Sequence, residues 1–310
     1  MAISKDSTTI LTPGYRGRFA PSPTGPLHLG SLVAAVGSYL EARHRGGQWR
    51  VRMEDIDPPR EVAGAADSIL RVLDAHGFEW DGEVWYQSRR SAFYLAAIEQ
   101  LKSGGYIYGC ACSRKEIADS AIRGIDGPVY PGTCRQGMPA GRTVRALRFR
   151  VGEGATEFVD AIQGKQHQVL ASEVGDFVVQ RADGFFAYQL AVVVDDAAQG
   201  ITHIVRGADL LDSTARQIEL QRRLGFATPE YAHLPVLVNE QGEKLSKQTR
   251  AAPILIERAG EQLTAALVLL GQSPAAGLAR APVRDIWSWA VENWRLDRVP
   301  KARGVSLQQV

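Results

Sequence analysis

The chain has 310 residues, enough for one large or two modest domains with a sizeable core. Apolar residues make up 45% and charged residues 23%, the balance of an ordinary globular protein, which excludes a disordered or fibrous chain. The net charge of +2 argues for no particular partner.

Residues 1–13 contain no apolar run of the kind a signal peptide needs. Runs such as Leu190–Val194 are far too short to span a bilayer, so a cytoplasmic protein with no membrane partner is expected. The stretch "GYRGRFAPSPTGPLHLGSLVAAVGSYL" comes next, from Gly14 to Leu40. An extended segment at Arg18–Ala20 enters a loop dense in proline and glycine. A mostly buried helix is expected from about Leu29 to Arg43. The loop's composition suits a solvated linker, and it equally suits a shaped cradle that holds a ligand against a helix N-terminus. "QWRVRMED" (Gln48–Asp55) alternates as a strand ending in acids. A proline turn and an amphipathic helix follow, closed by Gly77. Ser88 is the expected cap of another helix that ends at glycine. Strands alternating with helices at this spacing predict an α/β fold with a doubly wound, Rossmann-type parallel sheet.

From about Gly109 to Gln168 the helical signal fades and all three cysteines enter, as in an insertion. The α/β rhythm resumes near "DFVVQRADGFFAYQLAVVVDD", where "RADG" (Arg181–Gly184) reads as a turn between two strands. "THIVRG" (Thr202–Gly207) reads as a strand, Ser213 as the cap of a helix through Leu224, and residues 250–310 as mostly helical. The expected divisions are a first α/β half over 15–108, an insertion over 109–168, a second half over 169–249 and a helical C-terminal region over 250–310. Basic residues cluster at Arg142, Arg145, Arg148 and Arg150, at Arg216, Arg222 and Arg223, and near the C-terminus at Arg295, Arg298, Lys301 and Arg303. Such groups serve a polyanion or simply face solvent.

Two motifs carry chemistry. "PLHLGS" (Pro26–Ser31) places His28 and Gly30 where a helix begins; unpaired N–H groups and the positive dipole end favour phosphate there, and His28 can donate to a phosphoryl oxygen. "EKLSKQ" (Glu243–Gln248) places Lys244, Ser246 and Lys247 in a polar loop. A lysine there can neutralise charge building on a leaving polyphosphate. Either motif alone is weak. In this order, "RFAPSPTGPLHLG" and "KLSK" resemble the two signatures of class I aminoacyl-tRNA synthetases, and RFAPSPTG followed by "MEDID" (Met53–Asp57) resembles the glutamyl branch.

The resemblance covers roughly residues 16–260. It implies activation of L-glutamate by ATP, with Mg²⁺ on the phosphates, to glutamyl-adenylate and pyrophosphate. It assigns catalysis to His28, Gly30 and Lys247, and ATP binding to these with Ser31, Lys244 and Ser246. Glutamate binding falls to Arg18, Phe19, Ala20, Pro21 and Ser22, with Glu54, Tyr188 and Arg206. The chemistry is consistent, since two carboxylates want two guanidiniums and the ammonium wants a carboxylate such as Glu54. Which arginine takes the side-chain carboxylate is left open.

Cys110, Cys112 and Cys134 fall within 25 residues, and an odd, clustered set in such a protein points away from disulfides and toward a metal. A structural zinc takes four ligands, and no histidine lies between residues 77 and 166. Tyr130, four residues before Cys134, is the positional candidate, although its phenol must lose a proton of ordinary pKa about 10. Three unrelated cysteines are the alternative. "C-x-C…Y-x3-C" is similar to the zinc site of a truncated branch of the glutamyl family. Only 63 residues follow Lys247, too few for the large anticodon-binding region of a full glutamyl-tRNA synthetase. That branch transfers glutamate to queuosine in the anticodon loop of tRNA(Asp), and the resemblance implies the same partner here, served by a monomer with one structural Zn²⁺. A short enzyme charging tRNA(Glu) and a non-catalytic tRNA-binding protein are the other two readings.

Overall fold

The computed structural model describes residues 14–120, 122–125, 127–239 and 252–306. Strand β1 (Arg16–Phe19), helix α1 (Leu29–His44), strand β2 (Gln48–Met53), helix α2 (Ala65–Ala75) and strand β3 (Trp85–Tyr86) succeed one another. The three strands pair in parallel in the order β1-β2-β3, with Arg18 opposite Arg50 and Met53 opposite Tyr86. Helix α3 (Ser91–Ser103) follows a single turn at Gln87–Arg89. Ser88 is not its cap: the Ser88 N–H and hydroxyl both donate to the Asp55 carboxylate, at 2.9 and 2.6 Å, and Arg90 holds the cap position.

Strand β4 (Ile107–Cys110) opens the cysteine-bearing region, and helix α4 (Arg114–Ser120) lies where glycine and proline in the surrounding sequence obscured it. Its start is a capping box: Ser113 Oγ accepts from the Glu116 N–H at 3.2 Å while Glu116 Oε2 accepts from the Ser113 N–H at 2.7 Å. Strands β5 (Arg123–Gly124) and β6 (Gly127–Pro128) make a small hairpin. Strand β7 (Ala146–Phe149) is the centre of an antiparallel sheet. Strands β8 (Thr156–Asp160) and β9 (Gly164–Gln168) make a second hairpin, and helix α5 (Leu170–Glu173) precedes strand β10 (Phe177–Gln180), which pairs with β7.

The "RADG" turn is present, with Gly184 at φ 86°, but no second strand follows it. A single bridge joins Gln180 to Phe186, and the chain enters helix α6 (Tyr188–Ala198). Every residue from Leu190 to Asp196 is buried, so the run lacks the polar face that separates helix from strand by periodicity. Strand β11 (His203–Gly207), helix α7 (Thr214–Leu224), strand β12 (Glu230–Leu234) and strand β13 (Val236–Val238) come next. Ser213 does precede α7, but its hydroxyl is taken up by Gln189 and Arg216 rather than by a helix N–H. Helices α8 (Ala259–Leu269) and α9 (Val283–Asn293) and strand β14 (Gly304–Ser306), parallel to β13, complete the described chain.

The second sheet runs β11-β12-β8-β9, parallel except for the β8–β9 hairpin. It meets the first where the Thr202 N–H donates to the Arg16 carbonyl at 2.9 Å and Arg16 N–H donates to Thr202 Oγ1 at 2.9 Å. Helix α1 thus packs against β1 of the first sheet and β11 of the second, an α/β arrangement on parallel strands. Gly37 lets α1 close on this layer, since a Cβ there would stand 2.5 Å from Leu234 Cδ1. One core surrounds α1 and holds Trp49, Phe78, Trp287 and Trp294, so α8 and α9 are packed into the same core as β1 and β2. A second core gathers α3, α6 and α7 around Phe149 and Leu190.

Most of the clustered basic residues are exposed, and only Arg148 and Arg216 are buried. Arg142 pairs with Glu116 and Arg303 with Asp212, while Arg148 is buried with its guanidinium 3.8 Å from the Tyr130 ring centre.

Candidate active site

The carboxyl ends of β1, β2, β11 and β12 and the first turns of α1 and α6 border one cleft of 1310 Å³. That is where an open parallel sheet binds ligands. Arg18, Phe19, Ala20, Pro21 and Ser22 form one wall, at the end of β1 and just beyond it. Glu54 follows β2, Tyr188 opens α6 and Arg206 sits near the end of β11, and all three line the same cleft. His28, Gly30 and Ser31 border it at the start of α1. Eleven separately expected residues are thus brought together from four stretches of chain.

Lys244, Ser246 and Lys247 lie outside the described residues. Both described flanks of their segment meet the cleft. Val236 and Leu237 line it, and the Ile254 N–H donates to the Leu27 carbonyl at 2.9 Å while Pro253 bridges to His28.

His28 holds the N-cap position. Its Nδ1 accepts from the Ser31 N–H at 3.3 Å, which sets the ring over the first turn of α1 and leaves Nε2 as the protonated nitrogen of the neutral ring, 3.2 Å from Ser31 Oγ.

Arg18 and Arg206 are both buried but are held differently. Arg18 Nε and NH2 face the two carboxylate oxygens of Asp196 at 3.2 and 3.5 Å. Arg52, fully buried beneath, shares Asp196 at 2.9 Å and reaches Glu54 Oε1 at 3.2 Å. Arg206 donates to four neutral acceptors: His233 Nε2 at 3.0 Å, Gln217 Oε1 at 2.8 Å, Thr214 Oγ1 at 2.9 Å and the Leu210 carbonyl at 3.3 Å. Its charge has no carboxylate among these partners.

Burial raises the Glu54 carboxyl above its ordinary range, against the pull of Arg52 and Arg18; an ammonium arriving in the cleft would draw it back down. Burial likewise raises the Tyr188 hydroxyl, which stays protonated and available as a donor. Asp196 is held low despite burial, because Arg18 and Arg52 both favour its charged form.

Sequence reasoning passed over Arg52, Asp196, His233 and Asp160. The signal for Asp196 was there: adjacent acids in an otherwise apolar run, "LAVVVDDAA", require buried partners.

The sulfurs of Cys110, Cys112 and Cys134 lie within 4.8 Å of one another, across a gap spanned by Tyr130. Cys112 and Cys134 are 3.7 Å apart, and Tyr130 Oη stands 3.4 Å from Cys110 Sγ and 3.7 Å from Cys112 Sγ. In a tetrahedron with Zn–S of about 2.3 Å and Zn–O of about 2.0 Å, the S–S edge is about 3.75 Å and the S–O edge about 3.5 Å, close to these three separations. Burial, and then the Cys110 contact, push the Tyr130 hydroxyl well above its ordinary range; direct ligation to a metal ion would oppose that direction. Gly175, at φ 73°, backs this centre: a Cβ there would come 2.8 Å from the Tyr130 backbone nitrogen and oxygen.

No described helix is long and apolar enough to cross a membrane. The sequence profile of "tRNA synthetases class I (E and Q), catalytic domain" matches residues 15–276. A protein of Dechloromonas aromatica named glutamyl-Q tRNA(Asp) synthetase is 64% identical over 93% of this chain and 96% of its own length. One of the same name from Pseudomonas aeruginosa is 54% identical over 94% of this chain and 97% of its own. The crystal structure of a glutamate tRNA ligase from Elizabethkingia meningosepticum, in complex with its amino acid, superposes with a TM-score of 0.78 at 26% identity, covering 95% of this chain and 67% of that one. The chain belongs to the class I tRNA synthetases of the E and Q type, and within them to the group whose members are named glutamyl-Q tRNA(Asp) synthetase.

Proposed function

We propose that this protein activates L-glutamate with ATP and transfers the glutamyl group to queuosine in the anticodon loop of tRNA(Asp), acting in the cytoplasm as a monomer. One observation carries the reading: Arg18, Ser22, Glu54, Tyr188 and Arg206 share a single cleft with the His28–Ser31 helix start. A binding module for RNA alone has no need of a pocket with two buried guanidiniums beside a phosphate-favouring helix end. The names of the relatives favour tRNA(Asp) over tRNA(Glu).

In this account Arg18 and Arg206 receive the two carboxylates of glutamate, and Glu54 receives the ammonium. ATP, carrying Mg²⁺, lies along the first turn of α1. An oxygen of the glutamate α-carboxylate attacks the α-phosphorus, and pyrophosphate leaves. His28 Nε2–H and the α1 N-terminus stabilise the pentavalent phosphorus, while Lys247 follows the charge onto pyrophosphate. A queuosine hydroxyl then attacks the adenylate carbonyl, AMP leaves with its phosphate keeping the electron pair of the broken bond, and the hydroxyl proton passes by way of that phosphate to solvent. No protein nucleophile is required, because positioning and charge carry the reaction. Cys110, Cys112, Tyr130 and Cys134 would hold one zinc ion, which cross-links β4 to the loop before β7 and supplies no chemistry to the cleft.

The test is ATP–pyrophosphate exchange without tRNA. Exchange that depends on glutamate supports the reading. Exchange that is absent, or indifferent to glutamate, overturns it.

A further inference from the structure

Neighbouring parallel strands set Arg206, His233 and Asp160 in a row. Arg206 on β11 and His233 on β12 are direct register partners, and Asp160 ends β8 on the far side of β12. All three are buried, His233 completely.

The protonation of this row follows from its contacts. Arg206 cannot give up a proton, so its Nε–H can only donate, and His233 Nε2, at 3.0 Å, must accept. The imidazole proton then sits on Nδ1 and is donated to Asp160 Oδ2 at 2.6 Å. The other oxygen of Asp160 accepts backbone N–H groups from Ile162, Gln163 and His233, at 3.0, 2.8 and 3.1 Å. These bonds fix the carboxylate, and through it one tautomer of the ring. The 2.6 Å contact is therefore a hydrogen bond from a neutral imidazole and not an ion pair. Burial first, and the charge of Arg206 as well, oppose protonation of His233.

We infer that His233 and Asp160 are positioning residues for the glutamate site: Asp160 orients His233, and His233 holds the Arg206 guanidinium in plane while keeping the carboxylate one ring away from it. The arrangement has a purpose that a direct Arg206–Asp160 pair would defeat. A carboxylate in contact with Arg206 would compete with the substrate's own, as Asp196 does on one side of Arg18. An uncharged spacer fixes the geometry and leaves the positive charge for the ligand. Gln217 and Thr214, also neutral, complete the same setting. The inference rests on the reading that Arg206 receives a glutamate carboxylate.

The experiment is glutamate-dependent pyrophosphate exchange with the full chain, recording KM for glutamate, KM for ATP and kcat. His233→Leu removes the acceptor. Glutamate KM should rise about tenfold or more, the loss expected for one hydrogen bond to a charged group, with ATP KM within about twofold. His233→Gln can place an amide oxygen where Nε2 stood and should restore glutamate KM to within about threefold of the parent. Asp160→Asn frees the tautomer and should raise glutamate KM severalfold; it stands in for His233→Leu if that variant does not fold. An unchanged glutamate KM in folded His233→Leu or Asp160→Asn, or a rise with His233→Gln equal to that with His233→Leu, overturns the inference. A parent protein without glutamate-dependent exchange instead overturns the underlying reading, so the two failures are told apart.

Discussion

Arg18 and Asp196, 178 positions apart in the chain, form a buried ion pair at 3.2 Å that ties the end of β1 to α6. The pair joins the two halves of the cleft, and Arg52 shares it from below at 2.9 Å. That carboxylate therefore anchors the end of β1, where Arg18 borders the cleft, to α6.

Removing that carboxylate strands the buried Arg18 guanidinium and leaves Arg52 with Glu54 and Gln199 as hydrogen-bond partners. Asp196→Ala should cost about 3–5 kcal/mol, the usual result of breaking a buried pair from one side. Urea denaturation measures it. A loss below about 1 kcal/mol would mean that Arg18 and Arg52 find other partners and that the pair is not what joins the halves.

His28 has two tasks that one substitution separates. Asparagine can still accept the Ser31 N–H, so His28→Asn should unfold at nearly the parent temperature, whereas His28→Ala should lose about 1 kcal/mol as a missing cap. Both should slow pyrophosphate exchange by about 10²–10³-fold, the usual effect of removing a donor to transition-state charge. Exchange at the parent rate in His28→Asn would reduce His28 to a helix cap.

His233 makes stability fall in mild acid. Burial, against the hydrogen bond to Asp160 and with Arg206 opposing charge, lowers its pKa from 6.5 to about 4, while Asp209 pulls weakly the other way. The unfolded chain therefore takes up this proton at higher pH than the folded one, and stability drops as pH falls from about 6.5 toward 4. Asp160 is itself held below the ordinary carboxylate range: burial would raise it, but the His233 contact and the backbone N–H groups prevail. It stays ionised across that window. The loss should be on the order of 3 kcal/mol. Denaturation of the parent and of His233→Gln at several pH values measures it, and equal slopes for the two would show that the loss arises elsewhere.

The cysteine centre should hold one zinc ion per chain by elemental analysis. Cys134→Ser should lose the metal and several kcal/mol of stability, since binding and folding are linked. Tyr130→Phe should weaken zinc retention against a chelator without abolishing folding. A metal-free, fully folded parent would sink the site.

Much of the cleft was legible because its parts are short local patterns at element ends. The helix start after "PTGPLHLG" and the acids closing β2 are read from adjacent residues, and the structure puts them at strand ends as a parallel sheet demands. What escaped was non-local. Nothing near Arg52 announces that it lies beneath Asp196, and nothing near His233 announces Asp160, 73 positions earlier. Helix α6 reads as a strand in the sequence for a related reason: buried on nearly all sides, it carries no period. At Ser88 the reason is competition, because the Asp55 carboxylate takes the hydroxyl that a helix end would otherwise use.

The most direct test of the whole account is transfer of labelled glutamate to tRNA(Asp) isolated with and without queuosine. The account predicts label on queuosine-containing tRNA(Asp), none on the same tRNA lacking that base, and none on tRNA(Glu). Label on tRNA(Glu), or on tRNA(Asp) regardless of queuosine, would contradict it.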